Sequence, residues 1–234
     1  MPKNVKKTTF PNPFSLLAPH SCRGCGCIGN VICDRCKNYI LESHQNICPF
    51  CKTISSIGIC QSCRKISTNH NFPPSFTIGK RSDLLDSLIH ALKYESARAT
   101  AKPLAELLDH SLPTFSDQVY LIPLPTINRH IRTRGLDHTL LIAKHLAKLH
   151  QNYRVSKLLL RNNNSVQVGT NATTRTLQAK SAYKINPTIK PDPTATFILL
   201  DDVWTTGASM KSAIKTLKDN HIHSIVLAIL AVST

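Results

Sequence analysis

The chain has 234 residues, enough for one medium-sized domain and a small additional module, and its 41% of hydrophobic residues suffices for one core. Lysine and arginine total 29 against 13 acidic residues, a formal net charge of +16, which favours polyanionic partners over a protein that is merely basic and soluble. The longest apolar run, 225–232, is far too short to cross a bilayer, so we expect no membrane-spanning helix.

Residues 1–19 are predicted to be a basic, flexible tail. Lys3, Lys6 and Lys7 resemble the start of a signal peptide. The apolar segment 14–18 that follows is short and flanked by prolines, which is not typical of a secretory leader. We therefore expect a cytoplasmic protein.

Residues 20–66 hold all nine cysteines, eight of which form four Cys-x-x-Cys pairs. The pairs are Cys22/Cys25, Cys33/Cys36, Cys48/Cys51 and Cys60/Cys63. Each pair puts two thiolates on one tight turn, which is half of a tetrahedral zinc site. The sequence predicts a zinc-binding module with about two structural Zn²⁺ ions; disulfides would need an oxidising compartment, and an iron–sulfur cluster is a rarer alternative.

The spacing of the pairs leaves two ways of sharing two zinc ions. Seven residues separate Cys25 from Cys33, and eight separate Cys51 from Cys60. These short gaps favour sequential sites, the first two pairs in one and the last two in the other, over a cross-braced arrangement. Cys27 is then left as a free thiol beside the first site.

Residues 67–75 are predicted to be a linker, and strands then alternate with helices through a domain at 76–234. We predict strands at 75–78, 119–124, 157–160, 197–203 and 224–232, and helices at 84–94, 98–111, 136–149 and 209–220. This alternation indicates an α/β domain with a doubly wound parallel sheet.

Two polar stretches interrupt this pattern. Arg129, Arg132 and Arg134 follow the predicted strand 119–124, and their guanidinium groups suit a pyrophosphate or a nucleic-acid backbone, the alternative being a solvated basic loop. Residues 161–182 have few apolar anchors and are predicted to form a long flap over the site.

The segment 197–209 carries the most specific pattern. Four apolar residues fit a buried parallel strand, Asp201 and Asp202 close it, and Thr205-Thr206-Gly207-Ala208-Ser209 leads into a helix. Such a turn suits a phosphate monoester, and the two carboxylates suit ribose hydroxyls or Mg²⁺. An ordinary strand-to-helix turn is the alternative.

This segment resembles the 5-phosphoribosyl-1-pyrophosphate (PRPP) loop of type I phosphoribosyltransferases. The resemblance implies a type I phosphoribosyltransferase-like sheet that binds PRPP with Mg²⁺. It implies that the catalytic Asp201 and Asp202 hold the ribose hydroxyls. The 5′-phosphate would be held by Thr205, Thr206, Gly207, Ala208 and Ser209.

Other motifs extend the resemblance over nearly the whole chain after residue 20. The four cysteine pairs, Leu88–Tyr94, Pro123–Gly135 and Leu200–Gly207 occur in the order seen in the ComF family of ComFC-type, GntX-like competence proteins. The chain departs from that family at Leu136-Asp137-His138, where Phe-Asn-Gln is common, and at Gln178, where Asn is common.

The resemblance implies a competence protein that handles incoming single-stranded DNA in the cytoplasm during natural transformation. The sequence contains no Gly-x₄-Gly-Lys phosphate loop, so a separate DNA-translocating ATPase would be the motor. A catalytically active phosphoribosyltransferase is the alternative, although the sequence shows no recognisable acceptor pocket. A purely structural scaffold would leave the loop at 201–209 without a role.

Overall fold

A computed structural model describes residues 20–56, 58–66, 71–95, 97–126, 131–132, 135–162 and 182–233. The predicted tail 1–19, Arg129, Arg134, Gln178 and most of the predicted flap lie outside the described residues. In the part of the chain that is described, no helix is both long and apolar enough to span a bilayer.

The amino-terminal part combines a short hairpin with two helices. Strands β1 (His20–Ser21) and β2 (Ile28–Gly29) pair antiparallel, and helices α1 (Asp34–Glu42) and α2 (Gln61–Arg64) follow. Each helix begins directly after a cysteine, Cys33 or Cys60, which is its amino-terminal cap. The cysteine spacing alone did not predict these helices.

The remaining elements alternate as the sequence predicts. In chain order they are β3 (Ser75–Lys80), α3 (Asp83–Tyr94), a 3₁₀ turn (Arg98–Thr100), α4 (Ala101–Ser111), β4 (Val119–Pro123), α5 (His138–Leu146), β5 (Tyr153–Val155), β6 (Leu159–Arg161), β7 (Tyr183–Ile185), β8 (Thr196–Trp204), α6 (Ala208–Asp219) and β9 (Ile225–Val232). The sequence did not predict the strands β5 and β7.

Five strands form one all-parallel sheet in the order β3-β9-β8-β4-β5. From β4 the chain moves outward to β5, and from β8 it moves in the opposite direction to β9. The predicted α/β class and parallel, doubly wound sheet are therefore confirmed. The strand order reverses between β4 and β8, and ligands of such sheets bind beyond the carboxyl ends of the strands at this point.

Helices cover both faces of the sheet. Ile198 and Leu200 pack in one core with α3, α4 and α5, whereas Phe197 and Leu199 pack in a second core with α6. Because both faces of β8 are buried, its sequence is a continuous apolar run rather than an alternating one. This is why 197–200 could be recognised as a central strand.

The cysteine-rich part packs directly on the sheet domain. Asn46 lies along the outer edge of β3, where its Nδ2 donates to the Ser75 carbonyl at 3.1 Å and its Oδ1 accepts the Thr77 amide at 3.1 Å. Lys37 of α1 forms an ion pair with Glu106 of α4. The side chain of Asn46 thus satisfies part of an exposed strand edge, which would otherwise be free to pair with another chain.

Candidate functional site

The two predicted aspartates lie at the switch point of the sheet. They follow Leu200, whose partner in the neighbouring strand β4 is Pro123, and the Leu200 carbonyl accepts the Leu124 amide at 2.8 Å. Asp201 is partly buried and Asp202 is buried with 9% of its surface exposed. Both carboxylates therefore occupy the carboxyl edge of the sheet, where a ligand site is expected.

Asp202 already has two cationic or hydrogen-bonding partners within the fold. Lys93 Nζ, in the last turn of α3, lies 2.8 Å from Asp202 Oδ2. His138 Nε2, at the start of α5, donates to the same oxygen. Asp202 Oδ1 accepts the Val203 amide. The sequence motifs contained Lys93 and His138, but nothing in their spacing indicated that they meet Asp202.

The two carboxyl groups differ in protonation because their surroundings differ. Burial, with the nearby charge of Asp202, raises the pKa of Asp201 to about 7. Burial also acts to raise the pKa of Asp202, but the hydrogen bond from His138 and the charge of Lys93 outweigh it and lower that pKa to about 2. Asp202 is therefore the member of the pair that holds the negative charge, and Asp201 is the one that is more easily protonated.

His138 leaves one polar atom of this cluster unsatisfied. Its Nδ1 is buried, and within the described residues no group hydrogen-bonds to it. The neighbouring Asp137 is used differently, because its Oδ1 accepts the Leu140 amide at 3.1 Å and caps α5. Two consecutive residues, Asp137 and His138, thus provide a helix cap and a hydrogen-bond partner of Asp202.

The predicted phosphate loop joins β8 to α6. Thr205, Thr206 and Ser209 are exposed, and Gly207 caps the helix with φ +71°. The first turn of α6 contains no acidic residue, and among the described residues the Ala208 amide reaches only the Thr206 Oγ1, at 3.4 Å. Free amides at a helix start, with hydroxyls beside them, form a site for an anion.

The buried ring of Trp204 packs against the loop at Gly207 and so fixes its shape. The ring would lie 2.1 Å from a Cβ at position 207, so only glycine fits there. The ring also meets Phe50 at 5.6 Å and Phe72 at 5.8 Å between centroids. Because Phe50 lies between Cys48 and Cys51, the loop rests on the second half of the cysteine-rich part.

None of the nine cysteines forms a disulfide, and cysteines that are near in the chain lie together in the structure. The sulfur atoms form two groups, and within each group they all lie within 4.8 Å of one another. The first group is Cys22, Cys25, Cys27 and Cys33, and the second is Cys48, Cys51, Cys60 and Cys63. Four thiolates at such distances fit a tetrahedral zinc ion. The grouping is the sequential one, and each cluster could hold one structural zinc.

The first cluster differs from the predicted ligand set in one member. Cys27 belongs to the compact group of four, whereas Cys36 was predicted as the fourth ligand. Cys36 nevertheless lies beside this group, since its Sγ packs against Gly24 between Cys22 and Cys25, and burial with the thiols of Cys22 and Cys33 raises its pKa to about 12. Five thiols therefore surround the first site, and four surround the second.

The arginine stretch is only partly described. Arg132 is exposed in a short helical turn after β4, whereas Arg129 and Arg134 lie outside the described residues. Near it, Arg98 Nη2 donates to the carbonyl of Gly135 at 3.4 Å. Whether the three arginines act together stays a prediction.

Comparison with family models and with curated proteins adds no constraint on this site. No family model and no curated protein matches the chain. What the chain binds is therefore inferred from the fold and from the geometry of the carboxyl edge.

Proposed function

We propose that the carboxyl edge of the sheet binds a phosphorylated ribose of the PRPP class. One observation carries the proposal: at the switch point, β8 has two aspartates near its carboxyl end, and after Trp204 the chain continues through the hydroxyl-rich turn 205–207 into the amino terminus of α6. Sugar hydroxyls need carboxylate acceptors, and a phosphate needs amide and hydroxyl donors. This segment places the two kinds of group within a few residues of each other.

Each group has a distinct role in this proposal. Asp201 and the Oδ1 of Asp202 accept the ribose hydroxyls, since Asp202 Oδ2 is already taken by Lys93 and His138. The hydroxyls of Thr205, Thr206 and Ser209, with the amides of Gly207 and Ala208, surround the 5′-phosphate. Gly207, with its positive φ and its contact with Trp204, sets the shape of the turn that presents these amides.

Metal ions have two roles in the proposal. Structural Zn²⁺ occupies both cysteine clusters, whose four-sulfur donor sets suit it. Mg²⁺ enters with PRPP on its pyrophosphate, because the Lys93 ammonium already neutralises Asp202. Arg129, Arg132 and Arg134 then balance the pyrophosphate charge.

The proposed biological role is handling of incoming single-stranded DNA in the cytoplasm by a competence protein of the ComF type, beside a separate DNA-translocating ATPase. The specific observation that favours a DNA ligand is the net charge of +16. Lys211, Lys215 and Lys218 line one side of α6, around a cavity of about 350 Å³ with Phe72. This row offers phosphate contacts in addition to the arginine stretch.

Phosphoribosyl transfer is the alternative activity. In that reaction a nucleophile's lone pair forms a bond to the anomeric carbon while the bond from that carbon to pyrophosphate breaks. Pyrophosphate leaves with the bonding electrons, and the nucleophile releases a proton to solvent. The intact acid pair and loop support this alternative, and release of pyrophosphate from PRPP would establish it.

A charge placed in the phosphate loop tests ligand binding. Thr206→Glu puts a carboxylate where the phosphate is proposed to lie, and Thr206→Gln is its uncharged control; Thr206 is exposed, so both variants should fold. Ribose 5-phosphate should raise the Tm of the native chain and of Thr206→Gln, because a ligand of the folded state stabilises it by mass action. Thr206→Glu should lose the shift. An equal shift in both variants would contradict the proposal.

Salt dependence tests the DNA role. Single-stranded DNA should bind with little sequence preference, and each phosphate contact that is lost should flatten the salt slope by roughly 0.7. Lys211→Gln/Lys215→Gln/Lys218→Gln and Arg129→Ala/Arg132→Ala/Arg134→Ala would show which set contacts DNA. If neither triple variant changes the slope, DNA does not bind at these surfaces.

A further inference from the structure

A second cavity opens beside the acid pair, at the carboxyl ends of β4 and β5. Its volume is about 380 Å³, within the range of small-molecule sites. Its apolar walls are formed by Pro123 at the end of β4, Pro125 just after it, Leu140 of α5 and Leu160 of β6. Pro123 is the strand partner of Leu200, the residue directly before Asp201, so the cavity adjoins the proposed ribose site.

Three cations and one carboxylate surround these apolar walls. Lys157, Arg161 and Lys184 are the cations, and Asp137 is the acid. Asp137 Oδ1 accepts the Leu140 amide, and this one carboxylate faces three cations, so the charge around the walls stays positive. Lys157 and Lys184 are exposed, and among the described residues no acidic side chain pairs with either ammonium. The cavity therefore has a positive rim and an apolar interior.

Arg161 connects this cavity to the phosphate loop. Its Nη1 lies 3.4 Å from the hydroxyl of Tyr183, and its guanidinium lies 5.6 Å from the centre of the same ring. Burial raises the pKa of Tyr183, and a hydrogen bond with Ser209 of the loop opposes that rise. A ligand that contacts Arg161 would therefore be one side chain away from the proposed 5′-phosphate site.

We propose that this cavity binds a small organic anion, a carboxylate or a phosphate monoester on an apolar body. The rim supplies the cations for the anionic group, and the prolines and leucines contact the body. Among the described lining residues there is no aromatic side chain, so the cavity is not a base-stacking platform. Because the cavity lies beside the acid pair, the anion would be a second substrate. That role rests on the proposed function, but the binding of the anion to the cavity does not.

Matched small molecules test the charge requirement. Benzoate and phenyl phosphate represent the carboxylate and the phosphate monoester, and benzamide has the shape of benzoate without its charge. With the full chain, calorimetry should detect one or both anions with a Kd on the order of 1 mM, and benzamide should bind at least about tenfold more weakly. The proposal is overturned if neither anion binds, or if benzamide binds as well as benzoate.

Charge-matched variants test the location. Lys157→Gln/Lys184→Gln should weaken anion binding by about tenfold. The control Lys144→Gln/Lys148→Gln removes the same charge from exposed positions in the last turn of α5 and just after it, and should leave anion binding unchanged. Equal loss in both double variants would mean that net charge alone attracts the anion, which overturns the proposal.

Ribose 5-phosphate separates this site from the phosphate loop. It should not displace benzoate or phenyl phosphate, and Lys157→Gln/Lys184→Gln should still bind it. Displacement of either anion by ribose 5-phosphate would place that anion in the loop and exclude it as a ligand of this cavity. Failure of ribose 5-phosphate to bind, with anion binding intact, would instead remove the proposed function and leave this site standing.

Discussion

The two cysteine clusters have the same chemistry but stabilise different parts of the molecule. The first packs on the helical layer: Cys22 belongs to the core of α3, α4 and α5, and Arg23 pairs with Glu95 after α3. The second, through Phe50, packs on Trp204 below the phosphate loop. Metal in the first cluster would therefore hold helices, whereas metal in the second would hold the shape of a ligand site.

Metal removal should have the largest effect on stability, and it should affect both cysteine clusters. A structural zinc contributes on the order of 10–16 kcal/mol to the folding of a small zinc module. We expect elemental analysis to find about two zinc ions per chain. Strong chelation should unfold α1 and the hairpin, and circular dichroism would detect this loss. A reduced, folded sample without zinc would contradict the assignment of these clusters as metal sites.

Single cysteine substitutions should separate the clusters, because only the first has a spare thiol. Cys36→Ser leaves Cys22, Cys25, Cys27 and Cys33 in place, so we expect two zinc ions to remain. Cys60→Ser leaves three sulfurs in the second cluster, and we expect one zinc ion to be lost or much weakened. Metal content measured on the two purified variants decides this. Equal zinc loss in both would make Cys36 a required ligand.

Removing one aromatic contact should uncouple the second cluster from ligand binding. Phe50→Ala should cost about 2–3 kcal/mol of stability, since the side chain is partly buried. It should also weaken ribose 5-phosphate binding by roughly tenfold, because Trp204 loses support below Gly207. Chemical denaturation and calorimetry measure the two effects.

Phe115→Ala is the matched control for this change. Phe115 is equally a partly buried phenylalanine, but it packs near Tyr153, before β4 and at the opposite edge of the sheet. It should destabilise the chain while leaving ligand affinity unchanged. If both variants weaken binding equally, the effect is one of general stability, and the clusters do not differ in this respect.

The acid pair should respond to pH independently of either cluster. The pKa of Asp201 is raised from 3.8 to about 7, so the folded state binds more protons than the unfolded state between these values. The free energy of unfolding therefore falls as pH rises through this window. Asp201→Asn removes that loss, and its amide oxygen can still accept the Asp202 amide.

Asp201→Asn should accordingly be more stable than the native chain at about pH 8, by on the order of 1 kcal/mol, and nearly equal at about pH 4. Urea denaturation at the two pH values measures this difference. If Asp201→Asn were less stable than the native chain at the higher pH, the charged form of Asp201 would be stabilising. That result would contradict the raised pKa of this carboxyl group.

Sequence predicted the parts of the site that are local in the chain. The strand, the acid pair and the loop at 197–209 are contiguous, and both cysteine clusters are built from neighbouring pairs. Lys93 and His138 were missed because they reach Asp202 only through the packing of α3 and α5; His138 is 64 residues from its partner. The edge strand β5 was missed because its three residues carry no long apolar run and pair on one side only, with β4.

The position of Cys27 within the compact group of four sulfurs has a conformational cause. Gly26 has φ +75°, and the Cys22 amide donates to the Cys27 carbonyl at 2.8 Å. This tight turn folds Cys27 back towards the other three sulfurs. Cys-x-x-Cys spacing describes pairs only, and it contains no information about a fifth thiol that a turn brings back to the cluster.

The contact between Trp204 and Gly207 has an evolutionary consequence. A side chain at 207 would collide with the indole ring, so the effect of any substitution there depends on what occupies 204. Gly207→Ala should be harmful alone and less harmful once a smaller residue replaces Trp204, with the cost of the positive φ remaining in both backgrounds; this is epistasis between two positions three residues apart. Across related sequences these two positions should therefore co-vary, with tryptophan found only where glycine follows.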